Sequence, residues 1–350
     1  MSTSHAPALY PKITQHVSDV VKNLRRLESE SGYVQGEATW EPIPIVGFAK
    51  LHGTHADILV YADDGIVLQS KNVSGLTASN DNHGFAVAMA ERTVPILELR
   101  DQYITRWRTL NPDTPLQTEF PVLIAGEWIG TNIQKDVAIS QLSPRFVIVS
   151  VNINNSWVPD TQYLDIEAPS VSIYNISRGG TFSAILDPTN IACTVAEVES
   201  RAEEVASSCP FAASLGIDGE GEGIVWKLVP ASLNLNPALW FKTKGGRFRS
   251  TFAPAPKAVP VDLQEKRDAA DAVAKIWCTQ ERLWQGWEFL REIGTGRDMK
   301  GLGKYLQWVQ NDVLTEERGY IEDHGVDKGM LRIGIVKIAK VWYIERLGEE

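Results

Sequence analysis

A proline-rich segment at residues 254–260 divides the chain into two parts with different patterns. Before it, short apolar runs lie between turn residues, as in strands, and a few longer stretches repeat apolar residues at helical spacing. After it, the apolar residues recur at helical spacing throughout. Proline-rich stretches form semi-stiff connections. The sequence therefore predicts an α+β domain over residues 1–253, a linker over residues 254–261 and a helical domain over residues 262–350.

The same patterns predict the individual elements. Helices are predicted at residues 12–31, 83–107 and 194–208, with Pro95 breaking or kinking the second of them. Strands are predicted within residues 40–70 and at residues 121–125, 146–153, 170–176, 224–229 and 238–244. In the second part, Asp262 and Glu265 form the start signal of a capped helix, and further helices are predicted at residues 298–318 and 326–346. We expect the tryptophans of this part in its core.

Length, composition and cysteine content suit an intracellular protein. The 350 residues are enough for two domains, and 43% apolar with 22% charged residues is ordinary for a globular chain. No apolar run is long enough to cross a bilayer, and the first residues lack a signal-peptide pattern. Cys193, Cys209 and Cys278 lie far apart, which argues against a zinc site or a disulfide framework. We expect a cytoplasmic or other reducing compartment, no membrane contact and a monomer.

The charge of the chain is unevenly distributed. A net charge of −10 argues against non-specific coating of nucleic acid, because phosphate affinity comes largely from Lys and Arg. Residues 242–257, however, contain five basic residues and no acidic one. A solvated strand end would have the same composition, so this stretch predicts either a local basic groove or a solvated surface.

A candidate nucleophile lies between two strand-like runs. Lys50 opens the segment KLHGT, after the run at residues 43–48 and before the run at residues 58–61. Glycine lets the backbone approach a ligand closely, and an amine that loses hydration between apolar strands is a better nucleophile. A lysine beside glycine is more often a solvated turn, so this segment alone leaves both readings open.

Three later segments place further charged residues at strand ends. Glu127, in GEWIG, lies at the end of a predicted strand, and Glu222, in GEGIVWK, directly precedes another. Lys242 and Lys244 are two residues apart in a predicted strand, so their side chains share one face. Taken singly, these carboxylates could be ordinary strand ends; their order along the chain is the informative feature.

This order resembles the nucleotidyltransferase motifs of covalent ligases and capping enzymes. The histidine of KLHGT and the stretch GEWIGTNIQK are most similar to the RNA ligase 2 family, which includes phage and RNA-editing ligases. In the second part, CTQER (residues 278–282), Ile293-Gly294 and VQND (residues 309–312) resemble two helices of the family. The resemblance covers roughly residues 40 to 315.

The resemblance implies a fold and a reaction. The expected fold is a nucleotidyltransferase domain of antiparallel sheets with flanking helices, followed by a small all-helical C-terminal domain. The implied reaction has three steps. A lysine attacks the α-phosphate of ATP, the AMP passes to an RNA 5′-phosphate, and a 3′-hydroxyl displaces the AMP to close the strand. The implied cofactors are ATP and Mg²⁺ or Mn²⁺, and the implied partner is RNA with 5′-phosphate and 3′-hydroxyl ends.

The resemblance also implies roles for particular residues. Lys50 is the expected nucleophile, and Lys242 and Lys244 are expected to neutralise charge on the phosphates. Glu222 and Glu127 are expected to hold the divalent cation and position the nucleotide. Further expected nucleotide contacts are His52, Lys71, Phe146, Val151 and Lys227. Arg282 and Asp312 are expected at the RNA end.

Several positions depart from the family pattern. Ala49 stands where the family has glutamate, and His55 stands where asparagine is usual. Lys71 replaces an arginine, which keeps the charge without the bidentate fork. Val151-Asn152 replaces an aromatic residue followed by aspartate, and Phe146 is the nearest substitute for that aromatic ring. Two alternative functions stay open. The chain could be a DNA-joining or guanylyl-transferring enzyme, or a non-catalytic protein that binds RNA ends.

Overall fold

A computed structural model describes residues 10–30, 41–249 and 262–348. The predicted linker at residues 254–261 lies outside these ranges. The described residues form two compact units. The mixed unit contains residues 10–13, 20–30 and 41–247, and the helical unit contains residues 14–19, 248–249 and 262–348.

The mixed unit contains two sheets. Its strands are β1 (Ile43–Lys50), β2 (Thr54–Val60), β3 (Ile66–Ser70), β4 (Val122–Ile129), β5 (Arg145–Ile153), β6 (Ser156–Trp157), β7 (Ile173–Asn175), β8 (Phe182–Leu186), β9 (Gly223–Leu228) and β10 (Phe241–Lys244). The smaller sheet has the order β10-β9-β1-β8, and the larger has the order β3-β2-β4-β5-β6, with β7 beside β5. All pairs are antiparallel except β5 with β7. The α+β fold class with mainly antiparallel sheets is confirmed.

Helices cover one face of the larger sheet. The helices up to residue 234 are α1 (Val17–Glu30), α2 (Phe85–Ala90), α3 (Thr93–Leu110), α4 (Ile191–Ser207), α5 (Pro210–Ala213) and α6 (Ala231–Asn234). Phe85, Met89 and Ile96 of α2 and α3 pack into the core of the larger sheet. The predicted helix at residues 83–107 is divided before Thr93, and Pro95 lies in the first turn of α3, where no intrahelical N–H is lost.

The other face of the larger sheet is turned toward the smaller sheet. Leu59, Leu123, Ala125 and Trp157 of the larger sheet share a small buried cluster with Trp240, and Val225 of β9 in the smaller sheet packs against it. The strand predicted at residues 170–176 is only three residues long as β7, and the sequence patterns did not predict β6 or β8. The space between the two sheets is where the charged strand ends of the mixed unit meet.

The helical unit is built from five helices. They are α7 (Leu263–Trp277), α8 (Gln280–Glu292), α9 (Leu302–Glu316), α10 (Arg318–Asp323) and α11 (Lys328–Leu347). The Asp262 side chain accepts a hydrogen bond from the Glu265 N–H, which confirms the predicted cap. Trp277 and Trp287 are buried in its core, as expected. Within the described ranges, the helices lack the length and apolar content that a membrane crossing would need.

Candidate active site

Three neighbouring strands bring two of the predicted lysines and Glu222 together. In the smaller sheet, Gly223 of β9 pairs with Lys50 of β1 on one side and with Lys244 of β10 on the other. Glu222 directly precedes Gly223, so its side chain lies between the two lysines. Lys50 Nζ is 2.6 Å from Glu222 Oε2, and Lys244 Nζ is 3.0 Å from Glu222 Oε1. His52 Nδ1 is 3.6 Å from Glu222 Oε2.

Gly223 is required by this arrangement. Its φ is +155°, and a Cβ at this position would lie 2.1 Å from the backbone oxygen of Thr243. A side chain here would push β9 and β10 apart. The Glu-Gly pair therefore allows Glu222 to lie between two strands that are in direct contact.

The Glu222 carboxyl is buried, with 1% of the residue exposed. Burial alone would raise its pKa, but the charges of Lys50 and Lys244 and the hydrogen bond from His52 hold that pKa well below its usual range. Glu222 is therefore a carboxylate, and it neutralises two ammonium groups at once. An attack by Lys50 requires that this ion pair opens and that the ammonium gives up a proton.

Glu127 approaches the same cluster from the larger sheet. It lies in β4, pairs with His55 of β2, and its Oε1 accepts a hydrogen bond from the Gly53 N–H at 3.0 Å. Burial raises the pKa of Glu127, the positive charges of Lys50 and His55 oppose this rise, and the negative charge of Glu222 adds to it. The electrostatic coupling to both Lys50 and Glu222 identifies Glu127 as part of one charged cluster.

The two carboxylates fit a divalent cation only in part. In the ranges that the structure describes, no group of three or more His, Cys, Asp and Glu side chains could hold a metal ion. Mg²⁺ commonly uses one or two carboxylates and takes its remaining ligands from phosphate oxygens and water. Glu127 and Glu222, whose negative charges repel each other, suit this mode of binding.

The remaining predicted cations differ in placement. Lys242 lies two residues before Lys244 in β10 and is largely buried on the same face. Lys71 is exposed just after β3, and its charge acts on His55. Lys227 lies within β9, 2% exposed, with Nζ bound to Asp160 and Ser150. This placement gives no support to the predicted phosphate contact of Lys227.

The structure does not bring Phe146 and Val151 to the cluster. Both side chains are packed in the core under α2 and α3, where Phe146 stacks on Phe85. The β5 residue that pairs with Glu127 is Val147, the neighbour of Phe146, so Phe146 is on the opposite face. The predicted nucleotide contacts of Phe146 and Val151 are corrected accordingly.

A buried polar group beside Glu127 was missed by the sequence patterns. His55 Nε2 is 2.9 Å from Asp57 Oδ1, and Asp57 Oδ2 accepts a hydrogen bond from Gln69 Nε2 at 2.9 Å. Burial would lower the pKa of His55, but the charge of Asp57 raises it overall. The spacing of His55 and Asp57 by two residues in β2 was the available signal, since it places both on one face.

Arg282 and Asp312 lie within the helical unit and bind each other. Arg282 Nε is 3.1 Å from Asp312 Oδ2, and its Nη2 is 3.0 Å from Glu316 and 3.1 Å from Glu317. Its Nη1 donates to the Trp277 carbonyl at 2.8 Å. Burial opposes the charge of Arg282, but the three carboxylates outweigh it and raise the pKa of the guanidinium. These four hydrogen bonds within the helical unit give no support to a direct contact of Arg282 with an RNA end.

Comparison with known proteins finds a likeness among solved structures. No protein-family model matches the chain, and no curated protein matches it.

The chain is similar to solved structures of a Naegleria gruberi RNA ligase. With PPi, the identity is 12%, the TM-score is 0.43, and the match covers 70% of this chain and 60% of that chain. For a mutant with AMP and Mn, the identity is 12%, the TM-score is 0.38, and the match covers 70% of this chain and 60% of that chain. For a mutant with ATP and Mn, the identity is 13%, the TM-score is 0.40, and the match covers 70% of this chain and 61% of that chain. The match thus spans about three fifths of each solved chain. The function proposed below rests on the residues of this chain.

Proposed function

We propose that this chain is an ATP-dependent RNA ligase. In this proposal it forms a lysyl-AMP at Lys50, transfers the AMP to an RNA 5′-phosphate and joins that end to a 3′-hydroxyl. The observation that carries the proposal is the placement of Lys50 Nζ at 2.6 Å from Glu222, with Lys244 on the other oxygen of the same carboxylate. A candidate nucleophile, a second cation and a carboxylate thus converge at one sheet edge, in the order that resembles the nucleotidyltransferase motifs.

In the first step, a bond forms between Lys50 Nζ and the α-phosphorus of ATP, and the bond from that phosphorus to the pyrophosphate oxygen breaks. The Lys50 ammonium gives up one proton to solvent before the attack and a second as the N–P bond forms, and Lys242 and Lys244 offset the charge on the phosphate oxygens. Mg²⁺ or Mn²⁺, when bound, would neutralise further phosphate charge, and Glu222 and Glu127 are the residues that would hold it. ATP phosphates would also compete with Glu222 for Lys50 and Lys244, which opens the resting ion pair.

In the second step, an oxygen of the RNA 5′-phosphate bonds to the phosphorus of AMP, and the bond from that phosphorus to Lys50 Nζ breaks. In the third, a 3′-hydroxyl oxygen loses its proton and bonds to the phosphorus of the 5′-phosphate, and AMP leaves. Arg282 is engaged by three carboxylates of the helical unit. We therefore assign the cationic contacts of the RNA phosphates to the mixed unit, with Lys71 as the exposed candidate. RNA rather than DNA is proposed because the segment KLHGT resembles the RNA ligase 2 family.

The test is covalent labelling of the purified chain. Incubation with α-labelled ATP and Mg²⁺ should attach one AMP, visible as a mass increase and mapped by peptide analysis to Lys50. Lys50→Ala should abolish the label, and Lys300→Ala, at an exposed position in the helical unit, should keep it. Label on the Lys50→Ala variant would contradict the assignment of the nucleophile.

Two further comparisons separate the alternatives. Labelling by ATP against GTP distinguishes an adenylyl-transferring from a guanylyl-transferring enzyme. Sealing of a nicked RNA strand against a nicked DNA strand distinguishes the two nucleic acids. If the protein binds 5′-phosphorylated RNA but never takes up label, the chain is an RNA-end-binding protein without ligase chemistry.

A further inference from the structure

The two halves of the proposed site belong to different sheets. Lys50, Glu222 and Lys244 belong to the smaller sheet, and Glu127 belongs to the larger one. Their separation therefore depends on what joins the sheets. Between them lies a closed polar triangle, which we call the sheet clamp: Lys227 of β9, Ser150 of β5 and Asp160, which follows β6.

The sheet clamp is tightly bonded. Lys227 Nζ donates to Ser150 Oγ at 2.6 Å and is 2.5 Å from Asp160 Oδ2. Ser150 Oγ in turn donates to Asp160 Oδ1 at 2.7 Å. The ammonium also lies 3.6 Å from the centre of the Trp240 ring. Burial lowers the pKa of Lys227 and the charge of Asp160 opposes this.

We propose that Lys227 is a positioning residue that holds the two sheets at the separation the reaction needs, and that it does not bind phosphate. This inference rests on the proposed function. An ammonium group has three donors and no acceptor. Two of its directions are occupied by Ser150 and Asp160, and the Trp240 ring covers it as a cation–π partner. A phosphate oxygen could reach this nitrogen only by replacing one of those partners.

The clamp is connected to both halves of the site through short lengths of strand. Lys227 lies four residues after Gly223, the residue that pairs with Lys50 and Lys244. Ser150 pairs with Ala125, two residues before Glu127 on the same strand. A displacement of Lys227 or Ser150 should move the whole strand that carries it, since the strand backbone is fixed by ladder hydrogen bonds on both sides. A change in the clamp should therefore alter the distance between Glu127 and the Lys50–Glu222 pair.

A bulge in β5 puts Ser150 in place. Ala125 pairs with Ser150, whereas the next residue, Gly126, pairs with Ile148, so Val149 is the extra residue. Without this extra residue, Ser150 would lie on the opposite face, with Phe146 and Ile148. Bulges often re-aim a side chain in this way.

The test is a double-mutant cycle on Lys227 and Asp160 in the full chain. Lys227→Met leaves a buried carboxylate without its counter-charge, and Asp160→Asn leaves a buried ammonium without one. The double variant has neither charge. A buried ion pair is often replaced by neutral groups at little cost, whereas the removal of one partner is severe. Each single variant should therefore lose about tenfold or more in the rate of AMP labelling at saturating ATP, and the double variant should recover most of it.

Lys242→Met is the matched control. Lys242 lies in the neighbouring strand of the same sheet and is assigned to phosphate. Its substitution should raise the KM for ATP, and adding Asp160→Asn should give no recovery. If Lys227→Met behaves in the same way, with a raised KM and no recovery in the double variant, Lys227 is a phosphate ligand and the clamp is refuted.

Urea unfolding of the same variants separates this inference from the proposed function. The unfolding midpoint of the double variant should lie above those of both single variants. If the shift in the unfolding midpoint of the double variant equals the sum of the shifts of the two single variants, Lys227 and Asp160 are not coupled. That result would overturn the sheet clamp, even in an active enzyme. A wild-type chain that never takes up AMP would overturn the proposed function and the positioning role together, while a coupled unfolding cycle would still identify a structural clamp.

Discussion

Lys50 Nζ and Glu222 Oε2 lie 2.6 Å apart at the ends of adjacent strands. The residue proposed as a nucleophile is thus held as one half of an ion pair with a buried carboxylate. An ammonium group has no lone pair, so in the proposed reaction the phosphates of ATP would have to disturb this pair before a bond forms at Lys50. Glu222 is therefore expected to have two opposite effects, which can be measured separately: it restrains Lys50 in the resting protein, and it supports the reaction of Lys50 with ATP.

Glu222→Gln should separate those effects. The carboxamide keeps the shape of the side chain but removes its charge, so the Lys50 ammonium loses its partner and reacts faster with a simple acylating reagent. The labelling of Lys50 by ATP and Mg²⁺ should nevertheless fall by about 100-fold or more, because the divalent cation loses a carboxylate that is proposed to hold it at the phosphates. Peptide mass analysis after acetic anhydride treatment and after ATP treatment measures the two rates. If both rates fall together, Glu222 does not restrain Lys50.

Gly223→Ala should destabilise the mixed unit severely. The added Cβ would lie 2.1 Å from the Thr243 backbone oxygen, and the φ of +155° is strained for any residue with a side chain. We expect a loss of about 3 kcal/mol or more in the free energy of unfolding, measured in urea. Gly303→Ala is the control, because no atom lies within 4 Å of its added Cβ. It should change stability by less than about 1 kcal/mol, in the stabilising direction.

The sequence was sufficient to predict that Lys50, Glu222 and Lys244 lie together at one end of neighbouring strands. Each lies at the end of a strand that the apolar pattern predicted, and the order of the motifs placed those ends together. The family resemblance added the expectation of antiparallel sheets with flanking helices. Glu127 differs from these residues. The sequence predicted that its strand ends at residue 125, whereas β4 continues through Glu127 to Ile129, and Glu127 pairs with His55 of β2.

Side-chain direction in β5 could not be predicted in the same way. One extra residue, Val149, reverses the face of every later position in the strand, and nothing in the run FVIVSVNI signals it. The predicted contact of Val151 depended on that direction. Phe146 lies before the extra residue and faces away from the cluster because its neighbour Val147 is the residue that pairs with Glu127. Long-range partners were equally hidden: the ion pair of Lys227 with Asp160 joins residues that only the folded sheets bring together.

Arg282→Met should cost the helical unit about 3–5 kcal/mol in the free energy of unfolding, because Asp312, Glu316 and Glu317 would lose their shared counter-charge in a buried region. Urea unfolding monitored by tryptophan fluorescence measures this loss. Arg332→Met, at an exposed position of α11, is the matched control and should change stability by about 0.5 kcal/mol at most. Equal effects of the two variants would contradict a structural role for Arg282.

His16 should make the stability of the helical unit depend on pH. His16 Nε2 is 3.0 Å from Glu317 Oε2. Burial lowers the pKa of this histidine, but the hydrogen bond and charge of Glu317, with the charges of Asp19 and Asp323, raise it overall. A folded-state pKa above the unfolded value of 6.5 means that the protonated form stabilises the fold. That contribution is fully present below pH 6.5 and is lost as the pH rises through the folded-state pKa.

His16→Asn should remove this dependence. The wild-type chain should be more stable than the variant below pH 6.5, and the difference should shrink as the pH rises, since neutral imidazole gains less from Glu317 than imidazolium does. Urea midpoints at half-unit steps between about pH 5 and 9 measure the difference across the range in which histidine titrates. His324→Asn is the control, because Nδ1 of His324 contacts the Tyr320 carbonyl and not a carboxylate. A stability difference between wild type and His16→Asn that stays constant across this range would show that the charge of His16 does not act on the fold.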